Sequence, residues 1–524
     1  MRWSSPTAAH DIRRIAPTLL AAALAGAYLI VAPAGADLPA QLLRVKLFAA
    51  EGFGIWNNWW YGGHAVLGYS VLFPPLGWLL GPRLLAALAC VGAAAAGEAM
   101  AHDVHGEHAW LGATWLGAAT VTELLSGRLT FALGLCGAAL TTLLLLRRRP
   151  RLAAVMACGT ALASPVAGLF VALAGAVVVW RGLKTRNRND IADGIGAISV
   201  QILLLGGGYL LFPTAGYQPF AFATLWPLLA AGLLILLLAP GRTLGAAVVL
   251  YLAGCVAAYA IHTPIGGNAA RLGELAAGPL VALLLVPRRA WLLLALAALP
   301  LTYLQVHAAI GDLQHGAQAD GASYYRPLLR FLARQPGLWR VEVPFTQGHW
   351  ESYYLAPRFP LARGWERQAD IADDPLFYEG SLTAARYERW LQRLAVRYVA
   401  VADAPPDYST RAELRLIAGG LPYLRVVTRL PHWTVYAVAH AAPLATGAGR
   451  VVSIGPGTLT LAIAHRGGLY LRVRWSPYWE LSGVRGCVAP AGGFTRISAA
   501  GAGRALLRTR FALTRVGSRA PRCN

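Results

Sequence analysis

Long runs of apolar residues, separated by short polar or basic loops, fill the first 308 positions of the chain. A helix needs about 20 apolar residues to cross a bilayer, so the pattern predicts roughly eleven spans. We expect them at 15–34, 83–101, 109–126, 129–146, 152–180 (a pair of short helices broken at Ser164 and Pro165), 191–212, 220–239, 244–262, 273–287 and 290–308. The pattern indicates a polytopic α-helical membrane domain.

The hydrophobic pattern changes after about residue 309. Amphipathic helical periodicity and alternating strands are mixed over 309–445, which predicts an α+β domain. Short strands with Gly and Pro turns fill 446–524 and predict a small β-sandwich. We therefore expect three domains, at 1–308, 309–445 and 446–524.

Charge predicts the orientation of the chain. There are 46 Lys and Arg against 24 Asp and Glu, which gives a formal net charge of +22. The basic residues concentrate in short loops between spans, and the positive-inside rule places such loops in the cytoplasm. The N-terminus is then cytoplasmic, and the region after about residue 309 is extracytoplasmic. The high Ala, Gly, Leu and Arg content, with only three Met, is typical of a GC-rich bacterial genome, so we expect a bacterial plasma membrane. The charge distribution points to membrane lipids as partners and argues against nucleic acid.

Two further features concern processing and cysteine chemistry. The small residues at 32–36 leave open the alternative that the first span is a cleaved signal peptide. If the C-terminal region is exported, Cys487 and Cys523 are the available partners for a disulfide. No Cys or His spacing indicates a metal site, so we expect no cofactor, with a divalent metal as the less favoured alternative.

The segment 35–75, directly after the first span, is dense in polar, aromatic and glycine residues. Asp37 lies where the first span leaves the membrane. A carboxylate at that depth is energetically costly unless it is solvated or has a functional role. We predict that Asp37 is a general base, although Asp-Leu-Pro is also a good helix N-cap and the two roles are compatible.

Two later loops carry candidate binding residues. Glu123 lies near the end of an apolar helix, with Arg128 as its expected partner. In the loop 263–274, we expect Asn268 to cap the following helix, and the adjacent glycines to let the backbone approach a ligand. Arg271 in the first helical turn suits a phosphate, and an Arg271–Glu274 pair is the alternative.

Aromatic and polar side chains supply candidates for a second ligand. Aromatic rings fit the membrane interface, and they also form platforms for sugar rings. The residues that we assign to acceptor or lipid binding are Glu51, Trp56, Trp59, Trp60, Tyr61, His64, Tyr69, Glu123, His349 and Trp350. The alternative for His349 and Trp350 is a structural polar network, and for His64 it is simple exposure.

The arrangement resembles the GT-C superfamily of membrane glycosyltransferases. The residues that carry the resemblance are Asp37, the interfacial segment 38–50, the aromatic run 56–61, Gly62-Gly63-His64, Tyr69, 73–75, 126–131 and 264–272. The chain is similar to the mycobacterial arabinofuranosyltransferases and to bacterial membrane proteins described as "pyruvoyl-tetrahydropterin synthase-related". Many members carry two adjacent acids in the first loop, whereas Asp37 stands between Ala36 and Leu38.

The resemblance implies a sugar transferred from a polyprenyl-phosphate donor to a cell-envelope glycan or glycolipid. Asp37 would then be the base, and Arg271, Arg128 and Asn268 would bind the donor phosphate. Two alternatives stay open: a transporter or flippase of a lipid-linked saccharide, and a non-catalytic envelope scaffold of the same fold.

Overall fold

The computed structural model describes residues 8–213, 216–239, 241–316 and 319–524. The chain forms two compact units. Unit 1 comprises Met1–Gln41, Tyr69–Gly208 and Tyr217–Gln314, and unit 2 comprises Leu42–Gly68, Tyr209–Gly216 and His315–Asn524.

Unit 1 is helical, and every predicted span corresponds to helical chain. Seven continuous helical segments are long and apolar enough to cross a membrane, and three shorter apolar helices accompany them among the described residues. The polytopic membrane fold is therefore confirmed. The helices that begin before residue 320 are α1 Ala8–Val31, α2 Leu38–Glu51, α3 Phe73–Leu80, α4 Pro82–His105, α5 Trp110–Leu125, α6 Leu129–Leu146, α7 Pro150–Ala163, α8 Pro165–Thr185, α9 Arg188–Gln201, α10 Gly207–Leu211, α11 Phe222–Leu238, α12 Arg242–Ala260, α13 Ala270–Leu285 and α14 Trp291–Gly316.

The predicted helix boundaries were wrong in two places. The break at Ser164 is confirmed, since its hydroxyl caps α8 by accepting from the Ala167 amide and Pro165 begins the helix. However, α8 has 21 residues, which is long enough to span. The last helix continues to Gly316 rather than ending at 308, because neither Gly nor Pro interrupts residues 301–310 and Gly311 alone does not stop the helix.

Unit 2 contains a mixed four-stranded sheet in the predicted α+β region. Its strands are β3 Arg340–Glu342, β4 Val396–Ala402, β5 Leu424–Leu430 and β6 Trp433–Val438, in the order β3-β4-β6-β5. β3 and β4 are parallel and the other pairs are antiparallel. The helices of this region are α15 Ala322–Ala333, α16 Glu351–Tyr354, α17 Arg367–Asp373, α18 Ala384–Arg393 and α19 Arg411–Ala418. The apolar face of α18 packs on β4 in one buried cluster.

The C-terminal part of unit 2 is a β-sandwich, as predicted. Its two sheets have the strand orders β15-β12-β13-β10-β7 and β11-β14-β9-β8. Alternate residues of both sheets, such as Leu459, Leu461, Leu469 and Leu471, enter one shared core. The strands are β7 Ala445–Gly447, β8 Gly449–Ile454, β9 Thr458–Ile463, β10 Gly467–Arg474, β11 Trp479–Ser482, β12 Gly486–Ala491, β13 Phe494–Ala499, β14 Gly503–Thr509 and β15 Arg522–Cys523.

The segment after the first helix also belongs to unit 2. Residues 56–57 and 64–65 form a short hairpin, β1 Trp56–Asn57 and β2 His64–Ala65. The Asn58 side-chain amide donates to the Gly455 carbonyl at 3.1 Å, and Trp56 enters the sandwich core beside Trp479. This segment is therefore a structural part of unit 2.

A disulfide between Cys487 and Cys523 joins β12 to the terminal strand β15, and it confirms the predicted pairing. The bond closes a loop of 36 residues, so its loss is expected to cost about 2–4 kcal/mol of stability. We expect Cys487→Ser to lower the unfolding temperature of unit 2 in the full chain. Cys158→Ser is the matched control, and equal unfolding temperatures for the two variants would contradict this expectation.

Candidate functional site

A cluster of charged side chains lies at the ends of several helices of unit 1. Arg128, between α5 and α6, is its centre. The Arg128 Nε atom lies 3.5 Å from Asp37 Oδ2, Nη2 lies 3.4 Å from Asp312 Oδ2, and Nη1 lies 4.0 Å from Glu123 Oε2. Three carboxylates from separate segments thus surround one guanidinium. Their negative charges balance the positive charge of Arg128, which holds the segments together.

Two glycines set the position of Asp37. The Asp37 amide donates to the Ser126 carbonyl at 3.2 Å, which ties the start of α2 to the α5–α6 turn. A Cβ atom on Gly35 would lie 2.5 Å from the Leu125 carbonyl oxygen, and one on Gly127 would lie 2.5 Å from the Leu38 amide nitrogen. Only glycine permits this approach, so the two turns fix the Asp37 carboxylate beside Arg128.

Asp37 directly precedes helix α2, at the position where a cap was predicted. Its carboxylate accepts no hydrogen bond from the backbone of α2 among the described residues and is paired with Arg128 instead. The side chain is 31% exposed, so the carboxylate is accessible. The predicted capping hydrogen bond is therefore not formed, and the role of Asp37 as a general base stays a prediction.

Arg271, in the first turn of α13, has a different environment. Its side chain is 9% exposed and its guanidinium lies 4.9 Å from the centre of the Phe131 ring. Within the described part of the chain it forms no ion pair within 4.0 Å, so the alternative Arg271–Glu274 pair is not formed. Arg271 is therefore a buried cation with free capacity for an anionic partner.

Tyr69 lies beside the same cluster. The Thr130 hydroxyl donates to the Tyr69 phenol oxygen at 3.4 Å, which places this ring next to the first turn of α6. Because Phe131 follows Thr130, the phenol and the Arg271 guanidinium approach the same helical turn. The structure thus brings together five predicted residues, namely Asp37, Tyr69, Glu123, Arg128 and Arg271.

The predicted roles of the 263–274 loop were wrong in two respects. Helix α13 begins after Ala269 and has no side-chain cap, so Asn268 does not cap it. Gly266 and Gly267 allow close approach of the chain's own backbone, because a Cβ atom on either would contact the carbonyl of Gln218 or Pro219. Backbone of the same unit, rather than a ligand, occupies the space beside these glycines.

The aromatic residues of the first loop lie inside unit 2. Trp56, Trp59, Trp60 and Tyr61 are all buried, and Tyr61 donates a hydrogen bond to the Gly364 carbonyl. His64 stacks on Trp60, and desolvation lowers its pKa to about 3, so its imidazole is neutral. The Glu51 carboxylate accepts from the Gly457 amide at 2.8 Å. These contacts support packing roles, and ligand binding by these residues stays a prediction.

His349 and Trp350 are also buried in unit 2. His349 stacks on Trp365 with ring centres 3.5 Å apart, and its Nε2 lies 3.6 Å from Asp407 Oδ2. The neighbouring Glu351 accepts from the Thr346 hydroxyl at 2.7 Å. The structural polar network named as the alternative is therefore present, and acceptor binding by His349 and Trp350 stays a prediction.

The buried Glu351 is expected to make unit 2 sensitive to pH. Desolvation raises the pKa of Glu351 from 4.5 to about 8. A carboxyl group whose pKa is raised in the folded state ionises less readily there than in the unfolded chain. Its contribution to the free energy of unfolding is therefore greatest below pH 4.5 and is lost as pH rises toward 8. We expect Glu351→Gln to lose less stability than wild type between pH 5 and 8, measured by thermal unfolding. The exposed Glu379→Gln is the control, and parallel pH profiles for both variants would refute this.

Asp312 is the site residue that sequence analysis missed. The predicted span ended at 308, so Asp312 was assigned to the soluble region, whereas it lies in α14 and pairs with Arg128. The available signal was the unbroken helical pattern of residues 301–310, which carries the helix beyond the predicted end.

The close approach at Gly127 gives a test of how the site is built. Gly127 has φ +79°, and a side chain there meets the Leu38 backbone. We expect Gly127→Ala to destabilise unit 1 by about 1–3 kcal/mol and to displace Asp37. Gly81→Ala is the matched control, because Gly81 has φ +85° but open space around its Cβ position. Equal thermal unfolding of the two variants would show that the contact is unimportant.

Comparisons with known proteins leave the family open. No family model and no curated protein matches the chain. Among solved structures, it is similar to ArnT from Cupriavidus metallidurans in the apo state, with 14% identity, a TM-score of 0.40, and coverage of 78% of this chain and 94% of the other. ArnT bound to undecaprenyl phosphate matches with 15% identity, a TM-score of 0.41, and coverage of 82% and 99%. Likeness at this level carries no argument about activity.

Proposed function

We propose that the chain is a membrane glycosyltransferase that moves a sugar from a polyprenyl-phosphate donor to a cell-envelope glycan or glycolipid, with inversion. The observation that carries the proposal is that one cluster contains both an accessible carboxylate, Asp37, and a buried cation without an ion-pair partner, Arg271. Sugar transfer with a phosphate as the leaving group needs a base for the acceptor hydroxyl and a cation for the phosphate. Both groups lie at the ends of membrane helices. The sequence resemblance to the GT-C superfamily supports the same reading.

In the proposed reaction, the Asp37 carboxylate removes the proton from an acceptor hydroxyl. The hydroxyl oxygen attacks the anomeric carbon, and the bond from that carbon to the phosphate oxygen breaks on the opposite face. The electron pair leaves with the polyprenyl phosphate, and the proton stays on Asp37 until solvent removes it. Arg271 stabilises the charge that develops on the phosphate.

Arg128 has a positioning role in this proposal. Its charge is balanced by Asp37, Glu123 and Asp312, so it has less capacity than Arg271 for a phosphate. It orients the Asp37 carboxylate from one side and leaves the remaining oxygen for the acceptor. Glu123 anchors Arg128 from within α5.

The environment of the proposed reaction follows from the charge pattern. By the positive-inside rule, the basic loops favour a cytoplasmic N-terminus and an extracytoplasmic C-terminal region, and we propose a bacterial plasma membrane as the location. Among the described residues, no group of three or more His, Cys, Asp or Glu side chains is arranged to hold a metal ion.

The proposal is tested with the purified full chain in proteoliposomes. Donors carrying different radiolabelled sugars on polyprenyl phosphate are supplied with a cell-envelope extract as acceptor. A transferase releases free polyprenyl phosphate and labels the acceptor. A flippase moves the intact donor between leaflets without consuming it, and a scaffold does neither, so either of these results would overturn the proposal.

A further inference from the structure

The end of one membrane-crossing segment lies within unit 2. The helical segment Arg188–Leu211 is long and apolar enough to cross a membrane, and its last residues belong to unit 2. The Tyr478 hydroxyl donates to the carbonyl of its last residue at 2.8 Å. The rings of Phe212, Tyr478 and Phe511 contact one another, with centres 5.3–5.9 Å apart. Residues 510–519, which we call the C-terminal arm, therefore lie beside the point where this segment ends.

The C-terminal arm exposes large apolar side chains. Leu513 is 72% exposed and Phe511 is 40% exposed. Tyr209 and Leu210, in the last turn of the membrane-crossing segment, are exposed as well. Because the Phe511 ring contacts Phe212, the exposed side chains of the arm lie beside those of the segment. Neighbouring exposed apolar side chains on a folded domain mark a surface that contacts another apolar phase or molecule.

Hydrogen bonds hold the C-terminal arm in this conformation. The Arg510 amide donates to the Tyr478 carbonyl at 2.9 Å. Further along the arm, Arg515 Nε donates to the Pro477 carbonyl at 3.1 Å, and its Nη2 atom donates to the Ala520 carbonyl at 2.6 Å. The arm is thus fixed to the sandwich on both sides of its apolar residues. These residues consequently remain exposed in the folded unit.

Arginines surround the apolar residues of the C-terminal arm. Residues 503–524 contain six Arg and no Asp or Glu. Glu480 lies 3.5, 3.8 and 3.0 Å from three of these guanidinium groups, those of Arg508, Arg510 and Arg522. One carboxylate cannot balance three guanidinium groups, so this surface has an excess of positive charge. Apolar side chains flanked by arginines are typical of segments that lie in the interface of an anionic bilayer.

We propose that the C-terminal arm is an interfacial membrane anchor that binds anionic phospholipids. Phe511 and Leu513 enter the apolar layer of the bilayer, and the arginines of the arm pair with lipid phosphates. A lipid surface is favoured over a second copy or a peptide, because the arm packs through Phe212 against the end of a membrane-crossing segment. The inference does not depend on sugar transfer, since no residue of the Asp37 cluster takes part.

Photolabelling of the full chain in lipid nanodiscs tests the proposal. The nanodiscs contain equal amounts of phosphatidylcholine and phosphatidylglycerol, one of which carries a diazirine on its acyl chain, and mass spectrometry of proteolytic peptides locates the adducts. We expect adducts on residues 511–515 of wild type as well as on 209–211, which is the internal positive control. Leu513→Asn should lose most of the label on 511–515 and keep the label on 209–211. Leu338→Asn is the matched control, because Leu338 is an exposed leucine of unit 2 outside the arm.

The same assay tests the choice of headgroup. We expect the phosphatidylglycerol probe to label residues 511–515 about fivefold more than the phosphatidylcholine probe, the effect of one arginine near an anionic surface. Arg510→Gln with Arg519→Gln should abolish this preference, whereas Arg429→Gln, on the exposed side of strand β5, should keep it. Absence of adducts on 511–515, or equal labelling of wild type and Leu513→Asn, would overturn the anchor. An equal preference in wild type and the double variant would overturn the assignment to anionic lipid.

Discussion

Asp37→Asn is expected to lower the rate of sugar transfer by about 10²–10⁴-fold, the usual contribution of a general base. Asparagine keeps the size of the side chain and can still meet Arg128, which lies 3.5 Å from the aspartate oxygen. It cannot accept the proton of the acceptor hydroxyl, so the chemical step slows while the fold is kept. The measurement is release of polyprenyl phosphate in proteoliposomes, with thermal unfolding recorded in parallel.

Asp193→Asn provides the control for this variant. Asp193 is an aspartate of helix α9 that forms no ion pair within the described residues, so the same change of charge in unit 1 is expected to leave turnover unaltered. If Asp37→Asn transfers sugar at the wild-type rate, Asp37 is not the base, and Glu51 or Glu123 must be tested next. If both variants lose activity together, the loss reflects charge rather than proton transfer.

Arg363→Met is expected to cause the largest loss of stability in unit 2. The Arg363 guanidinium is fully buried, donates to Asp370 at 3.0 and 2.6 Å, and lies 3.6 Å from Glu413. It is also sandwiched between the rings of Phe345 and Phe377, at 4.1 and 4.0 Å. Methionine retains part of the packing but leaves two buried carboxylates without their cation, which typically costs about 3–5 kcal/mol.

The loss caused by Arg363→Met should grow with pH. Burial raises the pKa of Glu413 to about 7, and removal of the nearby cation raises it further, so ionisation is increasingly costly in the folded state. Thermal unfolding of the full chain, with hydrogen exchange of unit 2 peptides, measures the effect. The exposed Arg389→Met should change stability by less than about 0.5 kcal/mol. Similar unfolding of the two variants would mean that the buried network contributes little.

The sequence was most informative where polar residues interrupt an apolar pattern. Asp37, Glu123 and Arg128 stand out because charges at helix ends in a membrane need partners, and the structure does bring these three together. Asp312 was not identified, since the predicted last span ended eight residues before the end of helix α14. Helix ends in a continuous apolar run have no sharp signal, so a residue just beyond the expected end is easily misassigned.

Long-range pairing explains the other differences. The aromatic run 56–61 has the composition of a membrane interface, but its rings pack against residues some 300–400 positions later in unit 2. The composition of the run indicates that its rings need an apolar surface, but it does not indicate which surface they pack against. The Arg363 network likewise joins Asp370 of α17 to Glu413 of α19, and no local sequence pattern specifies that these residues meet.

Sugar transfer through Asp37 is tested by cell-envelope linkage analysis of a deletion strain. The strain is complemented with wild type, with Asp37→Asn and with Asp193→Asn, and expression of each variant is matched. We predict that the deletion removes one specific glycosidic linkage, which wild type and Asp193→Asn restore and Asp37→Asn does not. Restoration of the linkage by Asp37→Asn would show that Asp37 is not the base, and a deletion that removes no linkage would overturn the transferase function.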